Sequence, residues 1–243
     1  ITELKHAQEV MAKNNVELKK INSELDNFVY SISHDLRSPL LSIKGIISLI
    51  IHSESLDANT VQLLEMADKS VSRLDGTIQE ILEYSRNSRL NVSYESFDVK
   101  EMVSTIFEDL KFSNKDPFEI DLKFETSEVF YSDKARVGIL LKNIIGNSVK
   151  YKREHVDSQI SFKMFRLNGK VTLVVRDNGE GISEANKDKI FNMFFRGTTA
   201  SVGTGLGLYI CKEIVAKLGG AISVDSQLGV GTTMTIILPE LNP

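Results

Sequence analysis

The sequence predicts an α+β protein in two parts: an N-terminal coiled coil and two-helix hairpin forming a dimeric four-helix bundle, then an α/β sandwich. Three observations predict it. Leu4, Ala7, Met11, Asn14, Leu18, Ile21, Leu25, Phe28 and Ile32, apolar except for Asn14, advance in alternating steps of three and four, the seam of a coiled coil. A short polar stretch then leads to a second amphipathic run. Past residue 91 the helical period gives way to strand-length runs separated by turn residues.

The first part follows from the seam. It continues through Leu36, Leu40, Ile43, Ile47 and Ile50, with two successive steps of four around Pro39. Such a step shifts the seam as a stutter does, and a proline inside a helix removes a hydrogen bond and bends it. One long, locally distorted helix is therefore expected over residues 3–52. A polar connection, residues 52–59, precedes a second stripe at Val61, Leu64, Ala67, Val71, Leu74, Ile78, Ile81 and Leu82. Two helices with matching stripes and a short loop form an antiparallel hairpin, and each helix buries only one face. Pairing two hairpins closes the core, so a homodimer is expected.

In the second part, Asp98 with Glu101 three residues on makes a capping-box-like start for a helix to about Leu110. Residues 120–124 read as a strand, and Asp133 is a plausible N-cap for a helix running to Tyr151. Residues 160–166 and 170–176 flank Asn168-Gly169, a strong hairpin signal. Leu208, Cys211, Ile214, Val215 and Leu218 share a helical face that ends at Gly219-Gly220, a C-cap. Strands at 221–224 and 232–238 follow. Antiparallel strands with three helices on one side complete the sandwich, so the expected division is 1–24, 25–90 and 92–243.

Composition narrows the function classes. The chain has 243 residues, 42% hydrophobic and 26% charged, ordinary values for a globular protein. A net charge of -4 gives no electrostatic reason to expect nucleic acid. Cys211 is the only cysteine, which excludes a disulfide framework and a thiolate metal cluster and fits a reducing, cytosolic setting. The apolar stretch 40–51 is interrupted by Ser42, Lys44 and Ser48 and is too short to span a bilayer. The sequence carries no signal peptide and begins in mid-heptad, so it reads as the C-terminal part of a longer protein.

Five patches carry chemistry. His34 stands in Ser33-His34-Asp35-Leu36-Arg37-Ser38-Pro39-Leu40, two residues past Ile32 and off the seam. A solvent-facing imidazole beside a carboxylate can exchange a group at its ring nitrogen; on this octet alone, an exposed histidine near a kink is an equal reading. Asn143 and Asn147 lie one helical turn apart, with Lys150 and Tyr151 a further turn on. Their neutral amide oxygens can ligate a hard cation such as Mg²⁺ and leave room for phosphate oxygens. Asp177-Asn178-Gly179-Glu180-Gly181 follows a strand: a carboxylate can accept from an adenine amino group, and glycines permit close backbone approach. Gly203-Thr204-Gly205-Leu206-Gly207-Leu208 opens a helix, where amide donors favour phosphate. Gly229-Val230-Gly231-Thr232 is a second glycine turn. Singly, each patch also reads as a turn or a solvated face; their ordered joint occurrence carries the signal. His6, His52 and His155 lack such companions and read as surface residues, and Cys211 as part of a packed helix face.

On these residues the chain resembles the catalytic core of sensor histidine kinases of the two-component type. Residues 33–40 resemble that family's H box, 143–151 its N box, 177–181 its G1 box, 191–196 its F box, 203–208 its G2 box and 229–232 its final glycine box. The resemblance implies a coiled-coil signalling helix over 1–24, a dimerisation and histidine phosphotransfer hairpin over 25–90, and a Bergerat-type ATP-binding domain over 92–243. It implies His34 as phosphoacceptor, phosphorylated at Nε2, and Asp35 as the base that orients its ring and takes its proton. Asn147 would ligate Mg²⁺ with help from Asn143, Lys150 and Arg196 would meet phosphates, and Tyr151 would line the adenine pocket. Asp177 would select adenine, with Gly179 and Gly181 shaping the wall. Gly203, Gly205, Leu206, Gly207 and Thr232 would complete the ATP site, under a short lid over 197–204. The implied cofactors are ATP and Mg²⁺. The implied partners are a second copy and a response-regulator receiver domain, with a sensory domain upstream of this chain and a cytoplasmic place for this portion, the full-length protein being soluble or membrane-anchored.

Two positions depart from the family pattern. Ser38 stands where threonine or asparagine often orients a hydrolytic water, which puts phosphatase activity in question. Lys152 follows Tyr151 where a small hydroxylated residue is usual. Two other classes compete with the kinase reading. The gyrase, chaperone and mismatch-repair ATPases share the nucleotide fold, but they place a glutamate base four residues before the metal-binding asparagine, and here that position is Asn143. A non-catalytic coiled-coil adaptor is disfavoured by intact His34, Asp35, Asn147 and Asp177.

Overall fold

The computed structural model describes residues 36–51, 56–114, 117–197 and 204–241. The expected coiled coil over 1–24 lies outside them, as do His6, His34, Asp35, His52 and Gly203. The chain forms two compact units, Ile1–Leu90 and Asn91–Pro243.

In the first unit, residues 36–51 form helix α1, with Pro39 inside its described length, and Ala58–Arg89 form α2. The Asp57 carboxylate accepts from the Thr60 N–H at 2.9 Å and from its hydroxyl at 2.7 Å, so α2 starts one residue before the expected end of the connection. These bonds to the charged form hold the Asp57 carboxyl below its ordinary range. Arg37 Nε meets Asp75 Oδ1 at 3.2 Å. Arg37 lies about 21 Å before the end of α1 and Asp75 about 25 Å after the start of α2, so the helices run antiparallel. Ile47, Val71, Ile78 and Leu82 are buried. Leu74 departs from the expected stripe and is 54% exposed, because it sits about 60° round the helix from Val71. Leu36, Ile43 and Ile50, seven residues apart, are also exposed.

The second unit is a helix layer on a sheet. Glu95–Asp98 (β1) pairs antiparallel with Val129–Ser132 (β3). The main sheet has the order β2-β4-β5-β7-β6, formed by Phe118–Phe124 (β2), Ser158–Leu167 (β4), Lys170–Asp177 (β5), Ala221–Gln227 (β6) and Gly231–Pro239 (β7). The expectation of purely antiparallel strands is corrected at one edge: β2 runs parallel to β4, with Ile120 opposite Ile160. A parallel pair needs a long crossover, and residues 125–157 supply it. Asn168 and Gly169 carry φ of 52° and 68°, the paired positive values of a type I′ turn that closes the β4–β5 hairpin.

Helix α3 (Val99–Ser113) is capped by Asp98, which accepts from the N–H groups of Lys100 and Glu101. Helix α4 (Lys134–Lys150) is capped by Asp133, and its Val137, Leu140, Leu141, Ile144 and Ile145 are almost fully buried. Burial pushes the Asp133 carboxyl up, but hydrogen bonds from the Arg136 and Ser93 N–H groups and the adjoining Arg136 guanidinium outweigh it and hold it low. After the short α5 (Glu184–Lys187), helix α6 (Gly207–Lys217) buries Ile210, Cys211, Ile214 and Val215. Ile160, Phe162, Met164, Leu173 and Ile236 face them from the sheet and close the core. Cys211 is fully buried, its thiol 3.8 Å from the Leu140 carbonyl oxygen, and burial pushes its pKa up into the inert range of a packed cysteine.

Candidate nucleotide site

Strand β5 ends at Asp177, and the sheet register sets Thr232 of β7 opposite it. Asp177 Oδ1 accepts from the N–H groups of Gly179, 2.9 Å, and Thr232, 3.1 Å. Its Oδ2 accepts from the Ser148 hydroxyl on α4, 2.9 Å away. Burial raises the Asp177 pKa above the ordinary carboxylate value, against the opposing pull of the Gly179, Ser148 and Thr232 hydrogen bonds. A carboxylate held this way keeps acceptor capacity for one more donor.

Backbone too close for side chains forms the wall around it. A Cβ on Gly179 would lie 2.4 Å from the Tyr151 carbonyl oxygen, and one on Gly231 2.1 Å from the Asp177 carbonyl oxygen. Tyr151, the C-cap of α4, accepts from the Glu180 N–H at 2.8 Å, while the Glu180 carbonyl accepts from the Gly229 N–H at 2.6 Å. Gly181, with φ of 68°, packs on Gln227 of β6. Three stretches of irregular backbone, 151–153, 178–181 and 228–230, are thus stitched together at the same end of the sheet.

The asparagine pair sits on the same helix. Asn143 donates its amide N–H to the Ile139 carbonyl, and its Oδ1 faces Gly207, where a Cβ would come within 2.7 Å. Helix α6 therefore begins against the α4 face that carries Asn143, with Asn147 half-buried one turn on. Lys150 is exposed, its ammonium 4.9 Å above the Tyr151 ring. Arg196 is exposed, and residues 198–203 of the expected lid lie outside the described residues. The Phe194 N–H donates to the Gly205 carbonyl at 3.1 Å, and Gly205, with φ of 78°, lies so close to residues 194 and 195 that only glycine fits. Leu206 is fully buried, and its N–H donates to the Thr204 hydroxyl at 3.0 Å. Ser38 is exposed on α1 and accepts the Ser42 hydroxyl at its carbonyl oxygen.

Sequence reasoning missed Ser148 and Arg153. Ser148 had a signal: it is the one polar residue in the α4 stripe Val137, Leu140, Leu141, Ile144, Ile145, Ser148, and a hydroxyl on a buried stripe needs a partner. Arg153 sits past the helix end and had none. Among the described residues no cluster of three His, Cys, Asp or Glu could hold a metal, and no helix is long and apolar enough to cross a membrane.

Two family models match this chain. "His Kinase A (phospho-acceptor) domain" covers residues 24–89, and "Histidine kinase-, DNA gyrase B-, and HSP90-like ATPase" covers 132–242. Cyanobacterial phytochrome B of Nostoc sp. is 32% identical over 95% of this chain and 31% of its own length. The methanogenesis regulatory histidine kinase FilI of Methanothrix harundinacea is 32% identical over 92% of this chain and 25% of its own. Among solved structures, full-length ShkA in complex with AMPPNP superimposes with a TM-score of 0.71 at 23% identity, over 88% of this chain and 46% of that one, which establishes a shared fold. The chain thus spans about a third or less of the length of these curated relatives. With both family models present in order, the chain belongs to the sensor histidine kinases of two-component systems and carries their catalytic core.

Proposed function

We propose that this chain autophosphorylates His34 from ATP and passes the phosphoryl group to an aspartate of a response-regulator receiver domain. The observation that carries the nucleotide half is the Asp177 carboxylate, buried behind glycine walls and held by Gly179, Thr232 and Ser148 with acceptor capacity to spare. An adenine amino group supplies the donor this arrangement lacks. The phospho-acceptor half rests on the family match across 24–89, which contains His34 and Asp35. Asp35 would fix the ring tautomer through one nitrogen and take its proton as Nε2 attacks the γ-phosphorus. Lys150 and Arg196 would offset charge on the transferring group, and the backbone at Gly203, Gly205 and Gly207 would face phosphate oxygens, with Leu206 anchoring that turn from the core. Ser38, four positions after His34 in the sequence, would be the hydroxyl available to orient a water for hydrolysis of the receiver's phosphoaspartate, an activity that serine in place of threonine or asparagine puts in question.

The donor set fits Mg²⁺ that arrives with the nucleotide. The Asn143 amide nitrogen is committed to Ile139, so its oxygen faces Gly207 at the start of α6, and no carboxylate cage stands by among the described residues. Neutral amide oxygens from Asn147 and Asn143 would hold the ion only together with phosphate oxygens, where it would neutralise developing charge. The same feature disfavours the ATPase reading, since an asparagine at 143 cannot abstract a proton from water. Exposed Leu36, Ile43 and Ile50 on α1 and Leu63, Met66 and Leu74 on α2 support a homodimer that covers them. We also place this portion in the cytoplasm, where ATP and receiver domains are available.

The test is incubation with γ-labelled ATP and Mg²⁺. The expected product is protein-bound label that is acid-labile and alkali-stable and absent from His34→Gln. Label of the opposite stability, or label retained in His34→Gln, overturns the assignment of the acceptor.

A further inference from the structure

Resting on that reading of the site, we infer that Arg153 is a positioning residue for adenine recognition. Arg153 follows the C-cap of α4 and is half-buried. Its Nε donates to the Asn178 carbonyl at 2.9 Å and its Nη1 to the Gly229 carbonyl at 2.6 Å. One guanidinium therefore joins two of the glycine turns that wall the site.

The first of these contacts reaches the ligand-selecting carboxylate through a single peptide unit. The Asn178 carbonyl and the Gly179 N–H belong to the same amide plane. Arg153 holds the oxygen of that plane, and its N–H donates to Asp177 Oδ1 at 2.9 Å. A charged donor on the carbonyl end polarises the amide and strengthens the hydrogen bond at the other end. The Asn178 side chain locks the same turn from the far side, accepting from the Gln159 N–H and donating to the Asp157 carbonyl, both at 2.9 Å. The second contact fixes the turn that leads into Thr232, whose N–H is the other backbone donor to Asp177 Oδ1. Arg153 thus sets the orientation of both backbone donors that aim the carboxylate, without touching it. Lysine has a single ammonium on a flexible stem and cannot reproduce a fork that reaches two carbonyls in fixed directions.

The test is binding of ATP and of GTP to the full chain, by competition against a fluorescent ATP analogue, together with the ATP dependence of autophosphorylation. Arg153→Ala is expected to weaken ATP about tenfold, to weaken GTP much less and so narrow the preference, and to raise KM for ATP with little change in kcat. Arg153→Lys should recover only part of the lost preference; if Arg153→Ala does not fold, this variant is read in its place, with its preference expected to fall below that of wild type. Unchanged ATP preference in the variant that is read overturns the inference, as does an equal loss of ATP and GTP, the pattern of a merely structural role. Asp177→Asn is measured alongside. If it loses the ATP preference while the Arg153 variant keeps it, only the role of Arg153 falls; if it keeps the preference, the reading of the nucleotide site falls as well.

Discussion

Asp177 costs the ligand-free domain stability, a cost that the proposed adenine contact would offset. Its folded pKa is raised, so the neutral form is favoured in the fold, and the stability it contributes is present at low pH and lost as pH rises through the raised value. Asparagine can keep the same bonds, its oxygen accepting from Gly179 and Thr232 and its NH₂ donating to the Ser148 hydroxyl oxygen. Asp177→Asn should therefore bind ATP about 10- to 100-fold more weakly, because it offers a donor where the adenine amino group needs an acceptor, and calorimetric titration reads this directly. The ligand-free melting temperature of Asp177→Asn relative to wild type should climb as pH rises from below the carboxylate range to neutrality. A wild type that gains on the variant over that window would contradict the burial of a charged carboxylate. At this scale the sequence was legible wherever a residue type has a narrow chemistry, as with the Asp98 and Asp133 caps. Arg153 was illegible because an arginine after a helix end is ordinary until the fold brings residues 178 and 229 to it.

The elements were legible where a local rule decides them. Helix α4 ends within a residue of its expected limits because Asp133 starts it and its buried stripe runs on to Val149, and the β4–β5 hairpin follows from Asn168-Gly169. The small β1–β3 sheet and the parallel β2–β4 edge were not, since four-residue strands carry little periodicity and their partners lie some thirty to forty residues away. Val129-Phe130-Tyr131 does hold a strand signal in its β-branched and aromatic residues. Gly205 tests the element scale, because it ties the F box to the start of α6. Gly205→Ala forces an L side chain to φ of 78° and sets its Cβ 2.6 Å from the Phe195 carbonyl oxygen. The conformation alone costs about 1–2 kcal/mol, and the clash adds to it. Thermal denaturation should show lower stability, with weaker ATP binding; a variant as stable as wild type would contradict the close approach of residues 194–195 to Gly205.

For the whole molecule, the hairpin of one chain leaves apolar side chains on both helices uncovered, and the proposed second copy would cover them. Ile43→Glu sets a charge in the middle of the exposed α1 line and should convert the dimer to monomer, read by light scattering, while ATP affinity stays within about twofold because the ATP-binding unit has its own core. A dimer that survives this change would move the interface elsewhere. The central claim is transfer to the protein rather than hydrolysis, and one time course tests it most directly: protein-bound label and released phosphate counted in the same reaction with γ-labelled ATP and Mg²⁺. The account predicts label rising to a plateau of at most one phosphate per chain, with little free phosphate and no label in His34→Gln. Phosphate released steadily from the start, with the protein unlabelled, would contradict it.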